Sequence, residues 1–253
     1  MKVRIAIELT DLQGWLKNII SKYHFENQDY DLLSDIYEQM CVHSSPYAMY
    51  RINHRMTGIS MIDDSQVAMV ALTLGSGIDA MKERFARQGQ LSEGYMLDCL
   101  ANELLLALYK EFNKNYAKFH RRYVQRYVFI GDEISPAAIP QILSDIKGIK
   151  PDKAEHSVTE DSQPEFKEIL REQEDIRANE YGVLTPSKSV VFYAILSDNP
   201  NQICEGICTG CGNVLCDNRV EEYRQLAGLM LEENNKKSPQ GAMNYGYMRI
   251  FGA

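Results

Sequence analysis

Apolar residues recur at helical spacing over the first part of the chain. Leu12 and Leu16 would share one face of a helix over residues 10–22, and a similar pattern covers residues 31–40. Both segments read as amphipathic helices that bury one face. We therefore assign residues 1–64 to a helical N-terminal region.

The pattern then changes to a continuous apolar run, QVAMVALTL at residues 66–74, which predicts a buried strand. Glycines on both sides of Ser76 punctuate the run and mark a tight turn into an amphipathic helix. Ser92 is the expected N-cap of a long helix that continues towards Phe119 and is apolar over most of its circumference in its first half. Such a helix belongs in the centre of the protein.

Short strands and helices follow one another in the rest of the chain. Strands are predicted at residues 127–130 and 189–196, and helices at residues 136–146, 165–179 and 220–233, with a charged loop at residues 150–164. Helices outnumber strands and do not alternate with them regularly. The sequence therefore predicts an α+β fold, in a single domain over residues 1–253.

Charge and the length of apolar runs argue against several classes of partner. The 253 residues carry a formal net charge of -8, which repels nucleic acid and anionic lipid. Apolar runs such as residues 67–74 fall far short of the ~20 residues that a membrane-spanning helix needs. Glu8 and Asp11 interrupt the N-terminal apolar stretch, which argues against a signal peptide. We expect a cytoplasmic protein with no nucleic-acid or membrane partner.

Four of the six cysteines lie in one short segment: Cys204, Cys208, Cys211 and Cys216. Thiolates at such spacings can converge on one cation, and the neighbouring glycines allow the tight backbone that such a site needs. We predict a metal-binding segment at residues 204–219 that holds either zinc or an iron–sulfur cluster. The alternative is that these cysteines are packing residues or free thiols.

Polar residues accompany a turn in two further segments. The glycines around Ser76 could present backbone N–H groups to an anion, but an ordinary strand-to-helix turn is the commoner explanation. The sequence YGVLTPSKS at residues 181–189 offers hydroxyl groups and one cation beside a proline, which suits a polar small-molecule ligand or a solvated loop.

The basic and aromatic residues 114–126 are more typical of a solvated helix end than of a nucleic-acid surface.

Two of these segments together resemble the reactivation domain of cobalamin-dependent methionine synthase, the module that binds S-adenosylmethionine. The first is TLGSGIDAMKERFARQGQLSEGYMLDCLANEL, and its matching residues are Thr73, Leu74, Gly75, Asp79, Asp98 and Glu103. The second is LTPSKSV at residues 184–190, preceded by Tyr181. The likeness spans roughly residues 65–217, and its motifs are more specific jointly than singly.

The resemblance implies a mainly antiparallel sheet flanked by helices and a role in reductive methylation. When the cobalt(I) cofactor of methionine synthase is oxidised to an inert cobalt(II) form, the family's domain holds S-adenosylmethionine over the corrin. One electron and a methyl group then restore methylcobalamin. Carried onto this chain, the resemblance implies that Arg126 binds the carboxylate of S-adenosylmethionine. The other expected contacts are Gly131, Tyr181, Thr185, Pro186, Lys188 and Ser189.

The cysteine segment extends the resemblance. Cys208, Cys211, Cys216 and Arg219 are similar to the Cys-x2-Cys-x4-Cys-x2-Arg tail of free-standing relatives from anaerobes. No segment resembles the homocysteine-binding, folate-binding or cobalamin-binding domains of methionine synthase. The resemblance therefore implies action in trans on a separate corrinoid protein or cobalamin-dependent methionine synthase, as an accessory module of methionine biosynthesis rather than a stand-alone enzyme.

The sequence departs from the family after Arg126, where the family has a Ser-Pro-Gly-Tyr-like loop. Gly131 remains, but the Pro-Gly-Tyr is absent, and Val191 and Phe192 stand where the family typically has Ser-Gly. One alternative is therefore a metal or iron–sulfur redox or interaction module that kept the fold but not S-adenosylmethionine binding. A true methyltransferase is a third hypothesis, and the lack of a glycine-rich loop with a downstream acidic ribose ligand argues against it.

Overall fold

The computed structural model describes residues 1–53, 66–131, 134–148 and 175–200. All of these residues belong to one compact unit. Three predicted segments lie outside the described residues: the loop at 150–164, the cysteine segment at 204–219 and the helix at 220–233.

Five α-helices and seven β-strands form within the described residues. The helices are α1 (Leu12–Tyr23), α2 (Tyr30–His43), α3 (Gly77–Arg87), α4 (Leu91–His120) and α5 (Ile139–Lys147). The strands are β1 (Lys2–Arg4), β2 (Tyr47–Asn53), β3 (Val67–Thr73), β4 (Tyr123–Phe129), β5 (Arg177–Ala178), β6 (Leu184–Thr185) and β7 (Ser189–Ser197). Short 3-10 helices at Asn27–Asp29 and Pro136–Ala138 lead into α2 and α5.

The central sheet has five strands in the order β1-β2-β3-β7-β4, and every neighbouring pair is antiparallel. The strand β7 therefore lies between β3 and β4. Its register with β3 runs from Ser189 opposite Thr73 to Ile195 opposite Val67. Strands β5 and β6 form a separate hairpin. Within the described residues, this arrangement confirms the predicted α+β fold with a mainly antiparallel sheet flanked by helices.

Helices α1 to α4 cover one face of the sheet, where alternate strand residues enter an apolar core. Phe192 of β7 is fully buried, and its ring centroid lies 5.1 Å from that of Tyr109 and 5.2 Å from that of Tyr127. Phe112 of α4 and Phe129 of β4 complete this aromatic cluster, with ring centroids 6.3 Å and 6.2 Å from that of Phe192. The long helix α4 thus packs on the centre of the sheet, as its apolar sequence predicts.

Helix α5 and the β5–β6 hairpin cover the opposite face. Ile142 and Leu143 of α5 pack there with Met49, Met69 and Val191 of the sheet. Strand β3 is buried at all seven positions because both of its faces are covered. This burial explains why its sequence is a continuous apolar run rather than an alternating one.

The N-terminal region differs most from its prediction. Residues 1–64 are predicted to be helical; α1 and α2 form where the pattern predicts them, but the described part, residues 1–53, also contains the strands β1 and β2. The first four residues of β2, Tyr47 to Tyr50, are all buried, so that this strand lacks the alternation of a half-buried strand. Its sequence therefore gave no clear strand signal.

Three element boundaries also differ. The N-cap of α4 is Gln90, and Ser92 lies in the first turn of the helix instead. Strand β4 begins at Tyr123 rather than at residue 127, because α4 ends at His120 and Arg121 adopts a left-handed backbone with φ of 53°. The end of the predicted helix at 165–179 is wrong, since Arg177–Ala178 pairs with β6 as a strand.

Candidate functional site

The two segments that carry the family resemblance meet at one end of the sheet. Thr73 is the last residue of β3 and lies opposite Ser189, the first residue of β7. The Ser189 hydroxyl donates a hydrogen bond to Thr73 Oγ1 at 2.8 Å, and the Leu74 N–H donates to the Lys188 carbonyl at 3.0 Å. These bonds join segments that are more than one hundred residues apart in the chain.

The first turn of α3 contributes a second link. The Ser187 N–H donates to one carboxylate oxygen of Asp79 at 2.9 Å, and the Ser187 hydroxyl donates to the other oxygen. A carboxylate in the first turn of a helix is also stabilised by the helix dipole. Asp79 therefore ties the loop between β6 and β7 to the N-terminus of α3.

The Lys188 side chain makes the third link. Its Nζ lies 2.9 Å from Asp98 Oδ1 and 2.8 Å from Asn102 Oδ1, both on α4. The Lys188 side chain is 12% exposed, and that of Asp98 is 32% exposed. We call these three links the clasp, which comprises Thr73, Asp79, Asp98 and Asn102 on one side and Ser187, Lys188 and Ser189 on the other.

The charges around Asp98 favour its ionised form. Burial raises the pKa of Asp98, but the hydrogen bonds and positive charges of Lys188 and Lys82 outweigh burial and hold that pKa below its ordinary value. Lys82 of α3 lies 3.1 Å from the same carboxylate, with its side chain 55% exposed. Asp98 is therefore an anion at neutral pH and keeps the ammonium group of Lys188 in place.

Thr185 and Pro186 precede the clasp and differ in exposure. The peptide bond between them is cis, the Pro186 ring is buried and Thr185 is exposed. The Thr185 hydroxyl makes no hydrogen bond to any residue that the structure describes. Of the expected contact residues in this loop, Thr185 is thus the one with a free polar group at the surface.

Tyr181 lies at the tip of the β5–β6 hairpin. Asn179 Oδ1 accepts hydrogen bonds from the Tyr181 N–H at 3.0 Å and the Val183 N–H at 2.9 Å, which fixes the turn. Gly182 has φ of 81°, and a Cβ there would lie 2.4 Å from the Pro136 carbonyl oxygen. The turn is therefore ordered and close-packed, while the Tyr181 side chain itself is 74% exposed.

Gly131 lies near the same end of the sheet. Phe129, the last residue of β4, lies opposite Phe192, three residues from the start of β7. Gly131 follows two residues later with φ of 114°, and its N–H donates to the Ile134 carbonyl at 2.7 Å. Gly131 therefore holds a left-handed backbone position just beyond the end of β4.

Arg126 lies apart from the other expected contacts. It lies opposite Ile195 on the edge strand β4, just after a bulge, and it is exposed. Ile195 and Ser189 are six residues apart on β7, which corresponds to about 20 Å along a strand. The Arg126 guanidinium has no hydrogen bond or ion pair with a described residue.

The four predicted metal ligands, Cys204, Cys208, Cys211 and Cys216, lie outside the described residues. Within the described ranges, no three His, Cys, Asp or Glu side chains are grouped closely enough to hold a metal ion. Of the two isolated cysteines, Cys41 is exposed and Cys99 is buried. Burial raises the pKa of the Cys99 thiol to about 11, so that it is protonated at neutral pH.

Sequence reasoning did not identify Asn102 and Lys82 as neighbours of the candidate loop. Asn102 follows Asp98 by four residues on α4, so both side chains point from the same face of the helix. That spacing was the available signal, because a helix residue four positions from a matched carboxylate lies beside it on the same face. Lys82 on α3 lies three residues after the matched Asp79, but its partner is Asp98 on α4, which spacing along one helix does not indicate.

No protein-family model matches this chain, and no curated protein sequence matches it. No helix in the described part of the chain combines the length and the apolarity that crossing a membrane requires.

Proposed function

We propose that this chain is an accessory protein that binds S-adenosylmethionine for the reductive methylation of a corrinoid held by a separate protein. The observation that carries the proposal is the clasp. Four residues of the first matching segment bond directly to the LTPSKSV loop: Thr73, Leu74, Asp79 and Asp98. Two weak motifs that contact each other in the fold support a common ancestry better than either does alone.

The exposed polar groups suit this ligand. S-adenosylmethionine carries a carboxylate, and the guanidinium of Arg126, which has no partner among the described residues, could bind it through two parallel hydrogen bonds. The Thr185 hydroxyl is available to a polar group at the other end of an elongated molecule. About 20 Å of strand separates Ile195, which lies opposite Arg126, from Ser189, so that Arg126 and Thr185 would have to contact opposite ends of a fully extended ligand.

The protein's contribution would be binding and orientation. Bound S-adenosylmethionine would supply the methyl group, while the cobalt ion belongs to the partner and the electron comes from a separate donor. Arg126 would hold the carboxylate at the edge of the sheet. The clasp would keep the LTPSKSV loop in one conformation, so that little ordering remains to be done when the ligand binds.

The cysteine segment would supply a metal centre in the same protein. Four thiols are a suitable donor set for zinc or for an iron–sulfur cluster, and the proposal includes Cys204, Cys208, Cys211 and Cys216 as the ligands. Reducing conditions keep such thiols available, and we therefore place the protein in the cytoplasm. The partner would be a corrinoid protein or a cobalamin-dependent methionine synthase.

Calorimetric titration of S-adenosylmethionine into anaerobically purified protein tests the proposal. We expect saturable binding, which Arg126→Ala weakens by roughly 10- to 100-fold because a hydrogen-bonded charged partner is lost. Arg4→Ala is the matched control, since Arg4 is an exposed arginine on the opposite edge strand, β1, and should leave the Kd unchanged.

Absence of binding to the unmodified protein would refute the proposal. The fold would then serve a metal or iron–sulfur redox or interaction module, with the cysteine segment as its functional site. If Arg126→Ala and Arg4→Ala change the Kd equally, S-adenosylmethionine remains the ligand but Arg126 is not the residue that binds its carboxylate.

A further inference from the structure

The ammonium group of Lys188 is already engaged. An ammonium group has three N–H donors, and Asp98 and Asn102 accept two of them at 2.9 Å and 2.8 Å. The side chain points towards α4 and is only 12% exposed. A ligand anion that approached Lys188 would have to compete with a carboxylate that is already in contact.

The two serines of the loop are engaged in the same way. The Ser187 hydroxyl donates to Asp79, and the Ser189 hydroxyl donates to Thr73 Oγ1. The Lys188 carbonyl between them accepts the Leu74 N–H. The polar groups of residues 187–189 therefore face the protein rather than a ligand.

Thr185 is the exception in this loop. Its hydroxyl is exposed and bonds to no residue in the described part of the chain. The buried Pro186 beside it anchors the backbone, and β5 holds Thr185 through pairing with Arg177. A free hydroxyl on a fixed backbone can discriminate among polar ligands, because its position does not change when the ligand binds.

We infer that the loop divides two roles: Thr185 contacts the ligand and sets its specificity, whereas Lys188 and Ser189 are positioning residues that act through the clasp. This inference rests on the proposed binding of S-adenosylmethionine. It reassigns two of the residues that the family resemblance places against the ligand. It also gives Asp98 and Asp79 the role of holding the loop in place, through Lys188 and Ser187.

Three variants separate the roles: Thr185→Val, which removes only the hydroxyl, Lys188→Met, which removes the ammonium group, and Lys82→Met as the control. Lys82 shares Asp98 with Lys188 but does not lie in the loop. Each variant is titrated with S-adenosylmethionine, its Tm is measured, and amide hydrogen exchange is followed in a peptide covering residues 184–190.

We expect Thr185→Val to raise the Kd about three- to tenfold, the value of one neutral hydrogen bond, without a change in Tm or exchange. Lys188→Met should lower the Tm and accelerate exchange in the loop at least tenfold, and it should weaken binding as a consequence. Lys188→Arg should recover part of the protection. Lys82→Met should leave loop exchange and the Kd unchanged.

Two results would overturn the inference. One is weaker binding in Lys188→Met with unchanged loop exchange, which would make Lys188 a ligand contact. The other is an unchanged Kd in Thr185→Val. If the unmodified protein binds no S-adenosylmethionine, the proposed function and the role of Thr185 are both refuted. The positioning role of Lys188 is then tested separately, by hydrogen exchange of the loop in Lys188→Met.

Discussion

Replacing Lys188 by methionine removes one ammonium group from a half-buried site and keeps the length of the apolar stem. The pair with Asp98 has an N–O distance of 2.9 Å, and the two side chains are 12% and 32% exposed. Exposed pairs contribute up to about 1 kcal/mol, and breaking a fully buried pair costs about 3–5 kcal/mol. The exposure of the Lys188–Asp98 pair lies between those two cases, and Lys188→Met also removes the hydrogen bond to Asn102. We therefore expect Lys188→Met to destabilise the fold by about 2 kcal/mol.

Thermal unfolding provides the assay for Lys188→Met. For a chain of this size, 1 kcal/mol shifts the Tm by about 2–4 °C, so the expected loss is about 4–8 °C. The matched variant Lys82→Met breaks the other pair of Asp98, which has an N–O distance of 3.1 Å and a 55% exposed lysine. It should cost about 0.5 kcal/mol, or about 1–2 °C. A Lys82→Met loss equal to that of Lys188→Met would refute the argument from burial.

The same pair predicts a pH dependence. The pKa of Asp98 is lower in the folded protein than its ordinary value of about 4, so the ionised carboxylate stabilises the fold above that value. This stabilisation is lost as the pH falls through the depressed pKa of the folded state. The difference in free energy of unfolding between the unmodified protein and Asp98→Asn should therefore be constant from pH 5 to 7 and shrink below about pH 4. A difference that grows on acidification would show that the pKa of Asp98 is raised.

Two further predictions concern other parts of the chain. Gly77→Ala should destabilise the protein by about 3 kcal/mol in denaturant unfolding, because its Cβ would lie 1.9 Å from the His43 carbonyl oxygen. Gly94→Ala on α4, where the nearest atom is 3.9 Å away, should instead stabilise it by about 0.5–1 kcal/mol, and equal effects would contradict the steric argument. Cys208→Ser combined with Cys211→Ser should remove bound iron or zinc and any visible absorption, measured by elemental analysis and spectroscopy; full retention of metal would reject the cysteine site.

The pattern of apolar residues was sufficient to predict the strand β3 and the helix α4. The run at β3 was recognisable because covering both faces makes every position apolar, and α4 because its apolar residues recur over eight turns. The same double coverage concealed β2, which mixes tyrosine, methionine and arginine. Arg51 of this strand is exposed and donates to the Asp145 carbonyl at 2.8 Å, a contact with α5 that lies 94 residues later in the chain.

The candidate site was predictable only in part. The motif residues Thr73, Asp79 and Asp98 and the loop at 184–190 could be selected from the sequence by resemblance. Their contact could not, because it depends on a register between β3 and β7 that only the folded sheet defines. For the same reason, the sequence suggested that Lys188 faces a ligand, whereas the fold directs it onto α4.

The place of β7 in the sheet has a consequence for how this protein must fold. Strands β3 and β4 both precede β7 in the chain, yet each pairs with it, so their edges stay open until β7 has been made. Sixty residues separate Phe129 from Ser189, and a ribosome adds them in about 3–12 s. During that time one edge of β3, the strand β4 and the apolar residues that α4 covers lack their β7 partner, and the long sequence separation of the β3–β7 pairs slows the final step. A chain truncated before β7 would therefore lose the centre of its sheet, and a strand from another molecule could take the vacant position.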